Sequence, residues 1–303
     1  MAKTDFKLTG VLPPITTPFD ERGDLDLDAL VRNVERYNGT GLAGYVAFGS
    51  NGEAVHLTAA ERRQVLDTLR RTAAPDHQVV AGVNELSTRA AIAATRAAAA
   101  AGADAVLVIT PYFYKSAMSQ DLLRGFYLEV AAASPLPLLI YNVPQNTGVV
   151  IEPRTVAALA SHANVAGVKD SAGDLAALAE TVRLTADGFV VLVGNAGIFY
   201  PALMMGAAGA ILAAACVAPE ACVELHRAVA AGDAPRARDL QQRLAPLARM
   251  VTVDFGVAGL KAALDLAGFH GGPPRSPLRP LGVADRRRLA AEMKKTGFFT
   301  DLG

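Results

Sequence analysis

Eight short apolar runs, each followed by a longer stretch of helical pattern, restrict the fold of this chain more than any other feature. The runs are Gly10–Thr16, Gly44–Phe48, Gln78–Val83, Ala105–Ile109, Leu136–Asn142, Val165–Lys169, Phe189–Val193 and Ala210–Ala213. They are rich in β-branched residues and nearly continuous in apolar character. Strands that are apolar on both faces must be covered on both faces, which points to a parallel sheet wrapped by helices. Between them, segments such as Thr58–Ala74, Ser87–Ala101 and Ser119–Ala133 carry the helical pattern. Thr58 with Glu61 three positions later predicts a capping box, and Ser87, Ser119 and Asp174 are expected N-caps.

Eight such units predict a (β/α)₈ barrel. A doubly wound sheet gives the same alternation, but no Gly-x-Gly-x-x-Gly follows the first strand. After Gly232 the strand signal stops, and Pro235–Val251, Ala258–Gly268 and Ala284–Lys295 all read as helices. The expected organisation is a barrel over residues 1–232 and a helical extension over 233–303, packed beside it.

Composition removes several classes. With 51% hydrophobic residues the chain is not disordered, and 29 basic against 29 acidic residues leave no surplus for a nucleic acid partner. Cys216 and Cys222 are too few for a disulfide framework and read as buried thiols of a reducing compartment. The start, Met1 to Asp5, meets an acidic residue at once and shows no apolar leader. The most apolar stretch, around Ile198 to Val217, is broken by Gly206 and Gly209 and reads as helix, turn and strand. A cytoplasmic protein without membrane contact is expected.

In a barrel, chemistry gathers where the strands end. No histidine cluster lies there: of the five histidines only His56 is near a strand end, so no metal site is expected. Of the seven lysines, Lys169 alone ends a buried apolar run. Burial disfavours an ammonium ion, and a free amine attacks carbonyl carbon, so Lys169 is either a nucleophile or a structural partner of a carboxylate such as Asp170. Tyr141 ends the preceding run, where a phenol either moves protons or fills the barrel mouth. Gly49-Ser50-Asn51-Gly52-Glu53 follows the second run, and its small residues let backbone amides face an anion such as a carboxylate, unless it is an ordinary turn.

These pieces stand in one order: Gly-x-x-Gly-Glu, then Tyr-Asn-x-Pro-x-x-Thr-Gly from Tyr141, then Val-Lys-Asp-Ser ending at Ser171. In that combination the chain resembles the dihydrodipicolinate synthase / N-acetylneuraminate lyase family of pyruvate-handling class I aldolases. The likeness runs over essentially the full length, from Thr16-Thr17-Pro18-Phe19 through Thr110-Pro111-Tyr112 to the C-terminal helices. It implies a barrel with a helical tail, a homotetramer built as a dimer of dimers, and no organic cofactor or metal. It implies that Lys169 forms an imine with pyruvate or a substituted pyruvate and that Tyr141 is the acid/base group beside it. Ser50 and Asn51 would hold the pyruvate carboxylate, and Ser171, Gly194 and Ile211 would line the pocket.

Two departures bear on the substrate. Synthases that condense aspartate semialdehyde resemble one another in carrying an arginine where this chain has Asn146, and an amide has neither the charge nor the fork of a guanidinium. The tyrosine that reaches across a subunit interface in the family aligns with Phe113, which cannot relay a proton; Tyr112 and Tyr114 flank it. With Ser50-Asn51, Asn146, Val168–Asp174 and the tail from Phe269 to Arg275, the chain looks most like 4-hydroxy-2-oxoglutarate aldolase. A 4-hydroxy-tetrahydrodipicolinate synthase, a keto-deoxy sugar-acid aldolase or dehydratase, and a silent ketoacid-binding barrel are the alternatives.

Overall fold

The computed structural model describes residues 8–299 and Leu302, so Met1–Asp5, Lys3 and Lys7 lie outside the described residues. Among the described residues eight strands form: β1 (Gly10–Leu12), β2 (Gly44–Ala47), β3 (Gln78–Val83), β4 (Ala105–Ile109), β5 (Leu138–Asn142), β6 (Val165–Asp170), β7 (Val190–Val193) and β8 (Gly209–Ile211). They are ordered β1-β8-β7-β6-β5-β4-β3-β2, every pairing parallel. The ring closes between β1 and β2, where the Ala43 amide donates to Val11 O and Val46 to Pro13 O, each at 3.0 Å. A doubly wound sheet has no such closure, so the barrel expectation holds.

The strand ends differ from the expected ones for local reasons. The first run stops at Leu12 because Pro13 and Pro14 supply no amide to a ladder. The second stops at Ala47 because Phe48 turns left-handed, with φ 59°. Pro137 shortens the start of β5 in the same way.

Both strand faces are buried, as continuous apolar runs require. Leu12, Val46, Val80, Leu107, Leu139 and Leu192 fill the barrel interior, while neighbours such as Tyr45, Val79, Val106 and Val191 face the helices. Barrel helices follow the strands, among them Ala59–Thr72, Thr88–Ala100, Gln120–Ala133, Leu175–Leu184 and Pro219–Ala230. Ser87, Ser119 and Asp174 cap three of them as expected, and Thr58 with Glu61 forms the full capping box. Cys216 and Cys222 are buried free thiols, and burial pushes both well above the ordinary thiol range. The apolar stretch near Ile198 resolves into the helix Phe199–Met204, β8 and the helix Ala214–Val217. Among the described residues no helix is long and apolar enough to cross a membrane.

The C-terminal helices correct one expectation. Ala234–Arg249, Gly256–Leu266 and Val283–Thr296 form, but the tail does not merely lie beside the barrel. Pro246 sits inside the first of these helices, which passes into a π-type turn over Met250–Asp254, with Phe255 N donating to Met250 O at 3.0 Å. The turn sets Arg249, Thr252, Val253, Gly256 and Val257 along one wall of the cavity at the barrel mouth.

One ion pair ties the capping box to this tail. Arg275 Nη2 donates to Glu61 Oε1 at 2.6 Å, while Thr58 N and Oγ1 donate to Glu61 Oε2. The Arg275 hydrogen bond is the main reason the Glu61 carboxyl falls from 4.5 to about 2. A lowered carboxyl stabilises the fold above its unfolded pKa and loses that contribution as pH falls through its folded one. Acid denaturation of Glu61→Gln should therefore show a shallower loss of stability between pH 4.5 and about 2 than the wild type. Parallel acid limbs for the two proteins would contradict the pairing.

Candidate active site

All seven residues selected from the sequence line one cavity of about 460 Å³ at the C-terminal ends of the strands: Ser50, Asn51, Tyr141, Lys169, Ser171, Gly194 and Ile211. Lys169 and Tyr141 meet because β5 and β6 pair them directly opposite each other. Both are buried, at 3% and 4% exposure, and Lys169 Nζ lies 4.3 Å from the centre of the Tyr141 ring. The Tyr141 hydroxyl lies 3.3 Å from Ser50 Oγ, and Asn146 Nδ2 donates to that same Oγ at 3.0 Å. An amine, a phenol and a hydroxyl thus follow one another along the cavity wall.

Asp170 is not the partner of Lys169. Its carboxylate accepts from Asn142 Nδ2 at 2.8 Å and from the Ala172 amide at 2.9 Å. Burial raises its pKa, and those two hydrogen bonds oppose the rise. Asp170 instead fixes the strand ends, its carbonyl accepting from Gly194 N at 2.6 Å. Gly194 has to be glycine: a Cβ there would collide with Ser171 Oγ and stand 3.0 Å from Lys169 Cε.

The loop after β2 is held under strain. Phe48 and Glu53, both left-handed at φ 59° and 51°, bracket Gly49–Gly52. A bulky residue in that region costs roughly 1–3 kcal/mol and persists where surrounding contacts impose it. Asn84 Nδ2 donates to Phe48 O at 2.8 Å, and Thr17 Oγ1 to Gly52 O at 2.7 Å. Glu53 is buried at 2% exposure, with Oε1 2.7 Å from Lys261 Nζ and Oε2 accepting from the Arg275 amide at 2.8 Å. Burial pushes the Lys261 ammonium down in pKa, and Glu53 opposes that shift. Lys261 and Arg275 also lie over the Phe19 ring, at 4.4 and 4.2 Å.

Sequence reasoning missed Lys261 and Arg275, and with them the C-terminal wall. The available signal was Glu53 itself, a carboxylate beside Ala54 and Val55 that needs a buried cation. His56 Nδ1 sits 3.3 Å from Glu53 Oε2, and His77 stacks on Tyr45 in the core. Among the described residues no three His, Cys, Asp or Glu side chains gather as metal ligands would. Phe113 and Tyr114 do not reach the cavity; each is 72% exposed, and with Tyr112 they line a separate surface hollow.

The model of the family described as the dihydrodipicolinate synthetase family matches residues 7–296. The chain belongs to that family. It is accordingly a carbon–carbon lyase of the class I, pyruvate-dependent kind. It is 39% identical over 292 residues to the 4-hydroxy-tetrahydrodipicolinate synthase of Methanothrix thermoacetophila, covering 96% of this chain and 98% of that one. The dihydrodipicolinate synthase of Thermotoga maritima superposes with a TM-score of 0.92 at 30% identity, over 96% of this chain and 99% of that one. YagE, a prophage protein of E. coli K12 solved in complex with pyruvate, gives 0.90 at 28% identity over 96% and 100%. The first two carry a synthase name, which the sequence reading held as an alternative; neither carries the name of the 4-hydroxy-2-oxoglutarate aldolase that it placed first.

Removing one partner of a buried ion pair strands the other and costs about 3–5 kcal/mol. Glu53→Gln should lower unfolding free energy by that order in urea titration, and Glu53→Gln with Lys261→Met should recover part of it. A single variant within about 0.5 kcal/mol of wild type, the range of an ordinary surface change, would show that the pair carries no such weight.

Proposed function

We propose that Lys169 Nζ forms an imine with C2 of pyruvate and that the enzyme joins this pyruvate to a small aldehyde, as a 4-hydroxy-tetrahydrodipicolinate synthase does with aspartate semialdehyde. The observation that carries the proposal is the paired burial of Lys169 and Tyr141 at the bottom of the cavity. The amine attacks the ketone carbon, and the oxygen leaves as water. Loss of a proton from the methyl carbon gives an enamine, whose electron pair forms the new bond to the aldehyde carbon. The aldehyde oxygen takes a proton from the Tyr141 phenol, and water then releases the product and restores the amine. Ser50 orients the phenol through its hydroxyl, and the Ser50-Asn51 loop holds the pyruvate carboxylate. The iminium draws off the electrons, so the proposed cycle uses no metal and no organic cofactor.

Asn146 favours a second reading, cleavage of a 4-hydroxy-2-oxo acid such as 4-hydroxy-2-oxoglutarate by the reverse sequence. Its amide donates to Ser50, so that position offers neither a charge nor a spare fork to a second carboxylate. The homotetramer implied by the resemblance belongs to the same proposal; the exposed Phe113 and Tyr114 rings support an association there.

The test is a substrate panel: condensation of pyruvate with aspartate semialdehyde, against pyruvate release from 4-hydroxy-2-oxoglutarate, N-acetylneuraminate and keto-deoxy sugar acids. Condensation should be the fastest, and Lys169→Ala and Lys169→Arg should lose it, because a guanidinium does not deprotonate near neutral pH. Faster cleavage of 4-hydroxy-2-oxoglutarate would transfer the proposal to the second reading. Full activity in Lys169→Ala would reject imine chemistry at that residue.

A further inference from the structure

The cavity has an uneven charge. Among the residues that line it, Lys169 and Arg249 are the only cations, and no carboxylate faces it. The two cations occupy different depths. Lys169 is buried at the bottom, whereas the Arg249 side chain is 71% exposed at the rim. A substrate bonded to Lys169 and extending out of the cavity passes the wall that carries Arg249.

Two side-chain amides on the walls are engaged. Asn146 Nδ2 is spent on Ser50 and Gln145 Nε2 on Ser171 O. Arg249 is held differently. Its Nε donates to Asp254 Oδ1 at 3.2 Å, and the other oxygen of Asp254 lies 3.7 Å from Arg288 Nη2. Neither terminal amino group of Arg249 has a partner among the described residues. A guanidinium anchored through Nε keeps its two-pronged edge for a planar or tetrahedral oxyanion. Arg249 immediately precedes the π-type turn and Asp254 ends it, and such distortions recur at functional sites.

We propose that Arg249 is the specificity-determining residue for the aldehyde half of the substrate, binding an oxyanion, carboxylate or phosphate, carried at its distal end. The proposal rests on imine formation at Lys169 and adds the charge that position 146 lacks. An adduct with pyruvate's carboxylate on the Ser50-Asn51 loop and a second anion at Arg249 spans the cavity from floor to rim.

The experiment measures KM and kcat for the wild type, Arg249→Met, Arg249→Lys and Arg288→Met. Aldehyde is varied at fixed pyruvate, with aspartate semialdehyde, succinic semialdehyde, glyceraldehyde 3-phosphate and neutral butyraldehyde. A hydrogen bond to a charged group is worth roughly 1.5–3 kcal/mol, or about 10- to 150-fold. Arg249→Met should raise KM for the anionic aldehydes by about that factor and leave butyraldehyde unmoved. Arg249→Lys should recover part of the loss. Arg288→Met removes a cation from the same carboxylate outside the cavity and should behave as wild type. Whether aspartate and succinic semialdehydes or the phosphate lose more in Arg249→Met separates carboxylate from phosphate as the natural anion. Borohydride trapping of pyruvate by the wild type checks the underlying imine separately. If trapping occurs but Arg249→Met leaves every anionic KM unchanged, or the wild type turns over no anionic aldehyde, the proposal fails and the imine stands. Absence of trapping in the wild type would overturn both.

Discussion

A carboxylate buried at the edge of the barrel mouth, Glu53, sets the geometry on which the rest of the site depends. Taking a carboxylate and an ammonium out of water is costly, and their attraction repays it only with good geometry and satisfied lone pairs. Here Lys261 faces one oxygen, and the Arg275 amide and His56 face the other. The arrangement holds two non-glycine residues left-handed on either side of Gly49–Gly52. It also fastens the loop after β2 to the helix Gly256–Leu266 and the segment beyond it. The barrel mouth and the C-terminal wall are therefore one mechanical unit, and the cavity between them keeps its shape.

On the opposite side the constraint is strand register. Parallel pairing of β5 with β6 holds Tyr141 opposite Lys169, since a slip of β6 by one residue would turn the lysine to the helix face. Tight glycines next to them, Gly194 above all, make room for the lysine stem. The floor of the cavity is thus rigid and carries the proposed nucleophile, while the rim carries charge on a longer, exposed arginine.

What was legible in the sequence follows from how far each signal reaches. The doubly buried strands, the Thr58 capping box and the Lys169 strand end are local patterns, and each appears where it was expected. Strand limits moved where proline or a left-handed residue broke the ladder, as at Pro13 and Phe48. The seven cavity residues were readable because they sit at strand ends, which the barrel brings together. Lys261 and Arg275 were not, because their partner Glu53 lies far away in sequence, and Arg249 was not, because only packing of the tail against the mouth brings it to the cavity. Asn146 was read as an absent charge; its engagement with Ser50 Oγ needed coordinates.

Among the described residues two lysines are almost wholly buried near the barrel mouth, and only one of them is proposed to react. Lys169 faces the cavity, and Lys261 is locked to Glu53 and Pro273 O. Reduction with borohydride in the presence of pyruvate, followed by proteolysis and peptide mass mapping, separates them directly. The label should fall on the peptide containing Lys169 and on no other. A label on Lys261, or on exposed lysines such as Lys115 in equal measure, would contradict a single imine-forming residue at the end of β6.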